Sequence, residues 1–91
     1  MDLIKLHKIK EFALEQMDKW GIDDWKFVWD TRAVRRYGQC RYRRKEIGIT
    51  KVLANLNTIE ETKDVVLHEI AHALVGPGHG HNHVWKSMCR K

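Results

Sequence analysis

Apolar residues in the first twenty positions recur at intervals of three and four, the spacing of one face of an α-helix. The residues with this spacing are Leu6, Ile9, Ala13, Met17 and Trp20. Asp2 can accept a hydrogen bond from the first free amides, and Gly21 can end the helix by adopting a left-handed conformation. The pattern predicts an N-terminal helix that buries this face in the core.

The middle of the chain changes to the two-residue alternation typical of β-strands. In residues 25–30, WKFVWD, every second residue from Trp25 is aromatic, so one face of the segment is strongly apolar. Residues 33–42, with an irregularity at Gly38, and residues 46–50 are also rich in β-forming residues. Because the connections between these segments are short, we expect a three-stranded antiparallel sheet.

A second long helix is predicted from Ile59 to about Val75. Thr58 and Glu61 have the spacing of a capping box, in which each side chain binds the backbone amide of the other residue. Gly76 and the following proline end the helix. After the loop GPGHGH, a short C-terminal helix is expected at about residues 82–90.

These elements and the length of 91 residues indicate an α+β fold in a single domain, residues 1–91. A chain of this size buries a modest fraction of its surface, so a bound metal would add useful stability. The N-terminus alternates apolar and charged residues, unlike a signal peptide, and no apolar run approaches the roughly 18 residues of a membrane span. We therefore expect a cytoplasmic monomer with no membrane partner.

The two cysteines, Cys40 and Cys89, are too few for a disulfide framework or a four-cysteine zinc site. We therefore expect both thiols to be reduced. We interpret Cys40 as a buried packing residue, since free cysteine behaves as a small apolar side chain.

Seven basic residues lie between positions 32 and 45, in a chain of net charge +5, and Tyr37 and Tyr42 lie among them. Clustered Arg and Lys residues can bind phosphates, and interleaved aromatic rings can stack on the bases of single-stranded DNA. A solvated face of the sheet accounts for the same composition equally well. The candidate nucleic-acid contacts are Arg35, Arg36, Arg41, Arg43 and Arg44.

Residues 68–72 read HEIAH and fall on the second predicted long helix. His68 and His72 are one turn apart on the same side, so their nitrogens can share one zinc ion at about 2.0–2.1 Å. Glu69 can flank the metal without binding it and accept a proton from water. Hydrogen bonds could satisfy the two histidines instead, but the helix is apolar and a metal removes the cost of burying them.

A catalytic zinc needs a third protein ligand and an open position. Three histidines follow the helix, His79, His81 and His83, and spacing alone does not choose among them. We interpret His7, in the first helix, as a surface residue.

The segment LHEIAHALVGPGHGHNHVWK resembles the active-site segment of the SprT-like metalloprotease family, which includes the Spartan DNA–protein crosslink proteases. In that family His-Glu-x-x-His is followed by a variable loop and then by His-Gly-x-x-Phe/Trp-Lys. Trp85 and Lys86 match the end of this pattern. The resemblance implies one zinc ion held by His68, His72 and His81, with Glu69 as the general base.

The resemblance extends to residues 25–50, where Gly-x-Cys precedes an isoleucine-containing strand as in the family's sheet. It implies a small zincin-like domain. Asn82 departs from the family pattern, which often has glycine at that position. The chain also has too few cysteines for the zinc ribbon that many members carry beyond this domain.

Together these features predict a zinc-dependent endopeptidase that cleaves proteins or peptides, including proteins associated with or crosslinked to DNA. Glu69 would take a proton from water and pass it to the leaving amine. An extended substrate would pair with a strand edge, for which Glu46 to Thr50 is the candidate. The sequence identifies no oxyanion-stabilising residue; Tyr37, Tyr42 and the arginines are the candidates.

Two other functions fit parts of the sequence. A nucleic-acid-binding module with a structural zinc would account for the basic residues, and it would need His79 or His83 as a fourth ligand. It would leave Glu69 without a role. A different small zincin, such as a repressor-cleaving peptidase, would share the chemistry but not the substrate, and Trp85 with Lys86 argues against it.

Overall fold

The computed structural model describes residues 2–32 and 36–76. In chain order the elements are α1 (Leu3–Lys19), β1 (Lys26–Asp30), β2 (Gly38–Arg41), β3 (Glu46–Thr50), α2 (Lys51–Leu56) and α3 (Ile59–Val75). The predicted α+β class is confirmed for this part of the chain. Among the described residues no helix combines the length and apolarity needed to cross a membrane. The helix predicted at residues 82–90 lies outside the described residues.

Helix α1 begins and ends where the sequence predicts. The Asp2 carboxylate accepts a hydrogen bond from the amide of Lys5 at 3.0 Å, and Gly21 adopts a left-handed φ of +77° just beyond the helix. The buried face is the predicted one, consisting of Leu6, Ile9, Ala13 and Met17. Trp20 is half-buried and packs against the core.

The sheet is mixed, so the prediction of three antiparallel strands is wrong. The strand order is β1-β3-β2. β2 pairs with β3 in the predicted antiparallel sense, with Arg41 opposite Glu46, whereas β1 pairs with β3 in parallel. A short connection implies antiparallel pairing only for strands that are neighbours, and β1 and β2 are separated by β3. Asp30 and Gly38 lie at the same end of the sheet, about two strand spacings or roughly 10 Å apart.

The central position of β3 also overturns the prediction that Glu46 to Thr50 forms the substrate-binding edge. Its backbone is paired with β1 on one side and with β2 on the other. All of its residues after Glu46 are buried, which is typical of a strand that is covered on both faces. In the described part of the chain the edges of the sheet are β1 and β2.

Helix α2 was not predicted, because its six residues, KVLANL, show too short a pattern to be distinguished from a loop. Only Ala54 is buried. The Lys5 ammonium donates to the carbonyls of Asn55, at 3.1 Å, and Asn57. These bonds satisfy carbonyls at the end of α2 that have no partner within the helix, and they join α2 to the first turn of α1.

The core lies between one face of the sheet and the two long helices. α1 packs against α3 and β1, and α3 packs against β2 and β3. The largest fully buried apolar side chains are Ile9, Met17, Ile47, Ile49, Val66 and Ile70. Burial of each contributes about 1.5–3 kcal/mol to the stability of the fold. This packing fixes α3 against the edge strand β2, where the candidate site lies.

Candidate active site

Helix α3 has the predicted bounds and the predicted capping box. The amide of Glu61 donates to the Thr58 hydroxyl at 3.1 Å, and the amide of Thr58 donates to the Glu61 carboxylate at 3.2 Å. At the other end Gly76 has a φ of +81°, and its amide donates to the His72 carbonyl at 3.0 Å. Both ends of the helix that carries HEIAH are therefore fixed by local chemistry.

His68 and His72 face each other on one side of α3. Their Nε2 atoms are 3.2 Å apart, and the ring centroids are 4.8 Å apart. Two nitrogens that bind one zinc ion at 2.0–2.1 Å with a tetrahedral angle are separated by about 3.3 Å. The pair therefore has the spacing of two zinc ligands. In the absence of metal, the same distance allows a hydrogen bond between the rings.

The predicted third ligand, His81, lies outside the described residues, as do His79 and His83. Within residues 2–32 and 36–76, no three His, Cys, Asp or Glu side chains come together to hold a metal. His7 lies on the exposed side of α1, where its imidazole contacts Glu11 at 2.7 Å.

The Glu69 carboxyl is buried beneath the edge strand, with only 8% of the residue exposed. Gly38 makes this approach possible, because a Cβ there would lie 2.9 Å from Glu69 Cγ and Oε2 and 2.7 Å from Val65 Cγ1. The sequence marks Gly38 only as an irregularity in a strand. Its structural reason is the close contact between β2 and α3.

Burial raises the pKa of Glu69 to about 7, and the positive charge of Arg36 acts in the opposite direction. A carboxyl with a pKa near neutral can accept a proton and return it without a large energetic cost. Its neighbourhood thus suits the predicted role of a general base. A divalent cation bound nearby would favour the ionised form.

Tyr42 fixes the end of α3 that carries His72. Its hydroxyl donates to the His72 carbonyl at 3.0 Å, and its ring meets the Trp25 ring edge-on with a centroid distance of 6.2 Å. Tyr37 makes a similar contact near the start of the helix, with its hydroxyl 2.6 Å from that of Thr62.

These contacts engage both tyrosine hydroxyls within the chain. Thr62 donates its own proton to the Thr58 carbonyl, so Tyr37 donates in the contact with Thr62. Since each phenol has one proton to donate, Tyr37 and Tyr42 in this arrangement have none left for an oxyanion. Of the residues proposed for that role, the arginines remain.

Cys40 lies at the candidate site. The sequence predicted a buried packing residue, and this prediction is only partly right. Cys40 is half-buried and lines a depression of about 370 Å³ together with Glu69, His72 and Tyr42. Burial, followed by the negative charge of Glu69, raises the pKa of the thiol to about 11. The thiol is therefore protonated at neutral pH and is not a ready metal ligand.

The predicted nucleic-acid contacts that the structure describes do not share one surface. Arg41 lies on the outer face of the sheet, opposite the helices, where its guanidinium is 3.0 Å from Asp30 and 3.7 Å from Glu46. A Cβ at Gly48 would lie 2.6 Å from Arg41 Nη1, so this side chain covers β3. Arg41 is thus engaged within the protein instead of being available to phosphates.

The other predicted contacts are dispersed. Arg43 and Arg44 are exposed in the turn between β2 and β3. Arg36 is exposed at the opposite end of β2 and lines both depressions that flank Glu69. Arg35 lies outside the described residues. The sequence assigned Arg36 to nucleic acid because it lies among other arginines, but its position is at the candidate active site.

Comparison with known proteins identifies the fold and the family of the chain. The structure is similar to the crystal structure of the metallopeptidase zymogen of Methanocaldococcus jannaschii jannalysin, with a TM-score of 0.73 over 90% of this chain and 72% of that chain. At 17% sequence identity this similarity shows a shared, metallopeptidase-type fold. None of the curated protein sequences compared gives a significant match. A model of the SprT-like family matches residues 6–91, and the chain therefore belongs to the SprT-like family.

Proposed function

We propose that the protein is a zinc-dependent endopeptidase. The observation that carries this proposal is the pair of His68 and His72 nitrogens 3.2 Å apart, with the Glu69 carboxyl buried beside them on the same helix. This geometry suits a metal and a general base together. Membership of the SprT-like family and the similarity to a metallopeptidase zymogen support the same activity.

His68 and His72 would hold the zinc ion, and the family pattern proposes His81 as the third ligand. When bound, zinc supplies Lewis acidity towards water and towards the scissile carbonyl. The hydrogen bond from Tyr42 to the His72 carbonyl, together with the bond from the Gly76 amide, holds this end of α3 in place.

Glu69 would accept a proton from the attacking water and deliver it to the leaving amine. Its burial under Gly38 restricts the carboxyl to few orientations, so the proton acceptor is held in place before the substrate arrives. Burial raises the pKa of this carboxyl in the metal-free protein, and bound zinc would favour the unprotonated form that the first transfer needs.

We propose that the edge strand β2 binds the substrate backbone, in place of Glu46 to Thr50. In the described part of the chain β2 is hydrogen-bonded to β3 on one side, and its other side can accept an extended peptide. Gly38 and Cys40 lie directly above or beside Glu69. A peptide paired with β2 would therefore pass its backbone carbonyls over the candidate site.

Glu69→Gln tests the proposed base. The amide preserves shape but cannot take a proton, so turnover of an unstructured protein such as casein should fall by about a hundredfold to ten-thousandfold. Zinc content should be unchanged. Glu60→Gln is the matched control, since it makes the same substitution on the exposed side of α3 and should keep full activity. Full activity in Glu69→Gln would remove Glu69 from the mechanism.

The ligand set is tested by single alanine substitutions at the six histidines, with zinc measured by mass spectrometry of the native protein. Loss of zinc is expected for His68, His72 and His81, and retention for His7, His79 and His83. Loss of zinc in the His79 or His83 variant, together with His81, would indicate four protein ligands and favour a structural zinc over a catalytic one.

Action on DNA-associated proteins is a narrower proposal, supported by Arg43 and Arg44. Both are exposed in the turn that follows β2, adjacent to Tyr42 and hence to the end of α3. Single-stranded DNA bound there would lie beside the site. In the double variant Arg43→Gln/Arg44→Gln, stimulation of proteolysis by single-stranded DNA should be lost while DNA-independent cleavage persists.

A further inference from the structure

Arg36 is held at the end of the proposed substrate-binding strand. The Thr50 hydroxyl donates to the Arg36 carbonyl, and the Thr50 amide donates to the carbonyl of Tyr37 at 2.8 Å. Thr50 is buried in the central strand β3. The backbone of Arg36 is thus fixed by the core of the sheet, while its side chain is exposed.

The Arg36 side chain lies between two depressions that meet at Glu69. One, of about 400 Å³, is also lined by Asp64, Val65 and His68. The other, of about 370 Å³, is also lined by Cys40, Tyr42 and His72. Because Arg36 and Glu69 line both depressions, the positive charge of the guanidinium lies near the Glu69 carboxyl. Arg36 therefore contributes positive charge to the mouth of the candidate site.

Within residues 2–32 and 36–76 the Arg36 guanidinium makes no salt bridge with a carboxylate. All twelve acidic residues of the sequence lie within residues 2–32 and 36–76, and within these ranges the ion pairs involve His7, Arg41 and Lys45. Arg41, on the same strand, has two carboxylates beside it. An arginine left unpaired in a concave site can bind an incoming carboxylate through charge-assisted hydrogen bonds.

We propose, on the basis of the proposed endopeptidase function, that Arg36 is a specificity-determining residue that binds a carboxylate of the substrate near the scissile bond. An extended chain advances about 3.3 Å per residue, so the guanidinium reaches groups within about two residues of a bond held over Glu69. Glu69 lines both depressions, and Asp64 adds a second negative charge to one of them, so the substrate carboxylate would lie on the Cys40 side. It is an acidic side chain or the free C-terminus of a peptide.

The test uses peptides with both ends blocked that carry a single Glu at each of the two positions on either side of the cleaved bond. Matched peptides carry Gln. At one of these positions the wild-type protein should cleave the Glu peptide about tenfold or more faster in kcat/KM, the size expected of a charge-assisted hydrogen bond. A further pair of peptides without acidic side chains, one with a free and one with an amidated C-terminus, tests whether Arg36 binds the C-terminal carboxylate instead.

Three variants assign the preference to Arg36. Arg36→Gln should abolish it by slowing cleavage of the Glu peptide alone, Arg36→Lys should keep part of it, and Arg36→Glu should invert it in favour of a Lys peptide. Arg32→Gln is the matched control, because Arg32 is an exposed arginine in a depression on the outer face, beside Arg41 and Glu46. It should retain the wild-type preference.

The outcomes separate this inference from the proposed function. A zinc-loaded protein that cleaves no peptide overturns both. Cleavage with equal rates on the Glu and Gln peptides and on the free and amidated termini overturns only the role of Arg36. An equal loss of kcat on all peptides in Arg36→Gln places the guanidinium on the scissile carbonyl instead. Loss of single-stranded DNA binding with an unchanged Glu preference makes Arg36 a phosphate contact, which also overturns the inference.

Discussion

Gly38 and Gly48 lie on neighbouring strands, and each has a foreign side chain where its own Cβ would be. At Gly38, on the inner face of the sheet, the space is taken by Val65 and Glu69 of a packed helix. At Gly48, on the outer face, it is taken by the guanidinium of Arg41. The first neighbour is fixed by the core, whereas the second is the far end of a long side chain that can rotate away.

This difference separates the two faces of the sheet by function. The inner face carries His68, Glu69 and His72 on a helix that cannot move without disturbing the core. The outer face carries Arg41 between Asp30 and Glu46, an arrangement that is half-buried and adjustable. Changes on the inner face should therefore alter metal binding and activity, while changes on the outer face should alter stability alone.

Removal of zinc should give the largest effect and should act through the inner face. A metal that binds only the folded state at a hundredfold excess over its Kd adds about 2.7 kcal/mol, so chelation should lower the Tm by roughly 10–20 °C for a chain of this length. Differential scanning calorimetry with and without chelator measures the shift.

Two variants test whether the stabilisation by zinc depends on the inner face of the sheet alone. His68→Ala should melt at the same temperature with and without zinc, because it lacks a ligand. Arg41→Gln should be less stable than the wild type by about 1–2 kcal/mol, yet it should retain the full shift on zinc addition. A zinc-dependent shift that disappears in Arg41→Gln would mean that the two faces are coupled.

Gly38→Ala should have the next largest effect, on both stability and casein cleavage. The added Cβ would lie 2.7–2.9 Å from Val65 and Glu69, so β2 and α3 must move apart or the Glu69 side chain must change its conformation. Overpacking of this kind costs about 1–3 kcal/mol. We expect casein cleavage to fall more than tenfold, because a displacement of the base by a fraction of an ångström impairs proton transfer.

Gly48→Ala is the control on the outer face. Its Cβ would meet Arg41 Nη1 at 2.6 Å, and a change in the Arg41 rotamer relieves the contact at the expense of its ion pairs. The variant should lose about 1 kcal/mol of stability and keep activity within about twofold. An equal loss of activity in the Gly48 and Gly38 variants would contradict the separation of the faces.

The features that the sequence predicted well depend on residues close together in the chain. The capping box at Thr58 and Glu61 sets the start of α3, and Gly76 sets its end. Because His68 and His72 are four residues apart on that helix, their juxtaposition follows from helical geometry alone. The same locality allowed the buried face of α1 to be identified.

The errors concern contacts between distant segments. The alternation in residues 25–30 and 46–50 indicates strands but does not state which strands are neighbours, so both the parallel pairing of β1 with β3 and the edge position of β2 were missed. The arginines of this region were grouped by sequence, although Arg36 lies before β2, Arg41 on its outer face, and Arg43 and Arg44 in the turn after it. A glycine within a strand, such as Gly38, indicates close packing against another element. The sequence does not show that Glu69 is the residue it packs against.

Loss of the hydroxyl of Tyr42 or Tyr37 should give the smallest effect on stability, and zinc affinity should show which of the two hydroxyls supports the metal site. Both hydroxyls tie α3 to β2 and its flanking residues, Tyr42 at the His72 carbonyl and Tyr37 at Thr62. Replacing either by Phe removes one hydrogen bond and should cost about 1 kcal/mol in urea unfolding of the metal-free protein. Only Tyr42→Phe loosens the turn that carries a ligand, so it should also weaken zinc binding, by about threefold to tenfold.

Zinc affinity measured by competition with a chelating dye distinguishes the two tyrosines. Tyr37→Phe is the matched control, because it removes the same hydroxyl three turns nearer the start of α3 and leaves the His72 carbonyl untouched. Equal zinc affinity in both variants, with equal losses of stability, would mean that the last turn of α3 holds His72 in place through the Gly76 amide without help from β2. In that case the inner face would position the metal by the helix alone, and the sheet would serve only the base and the substrate.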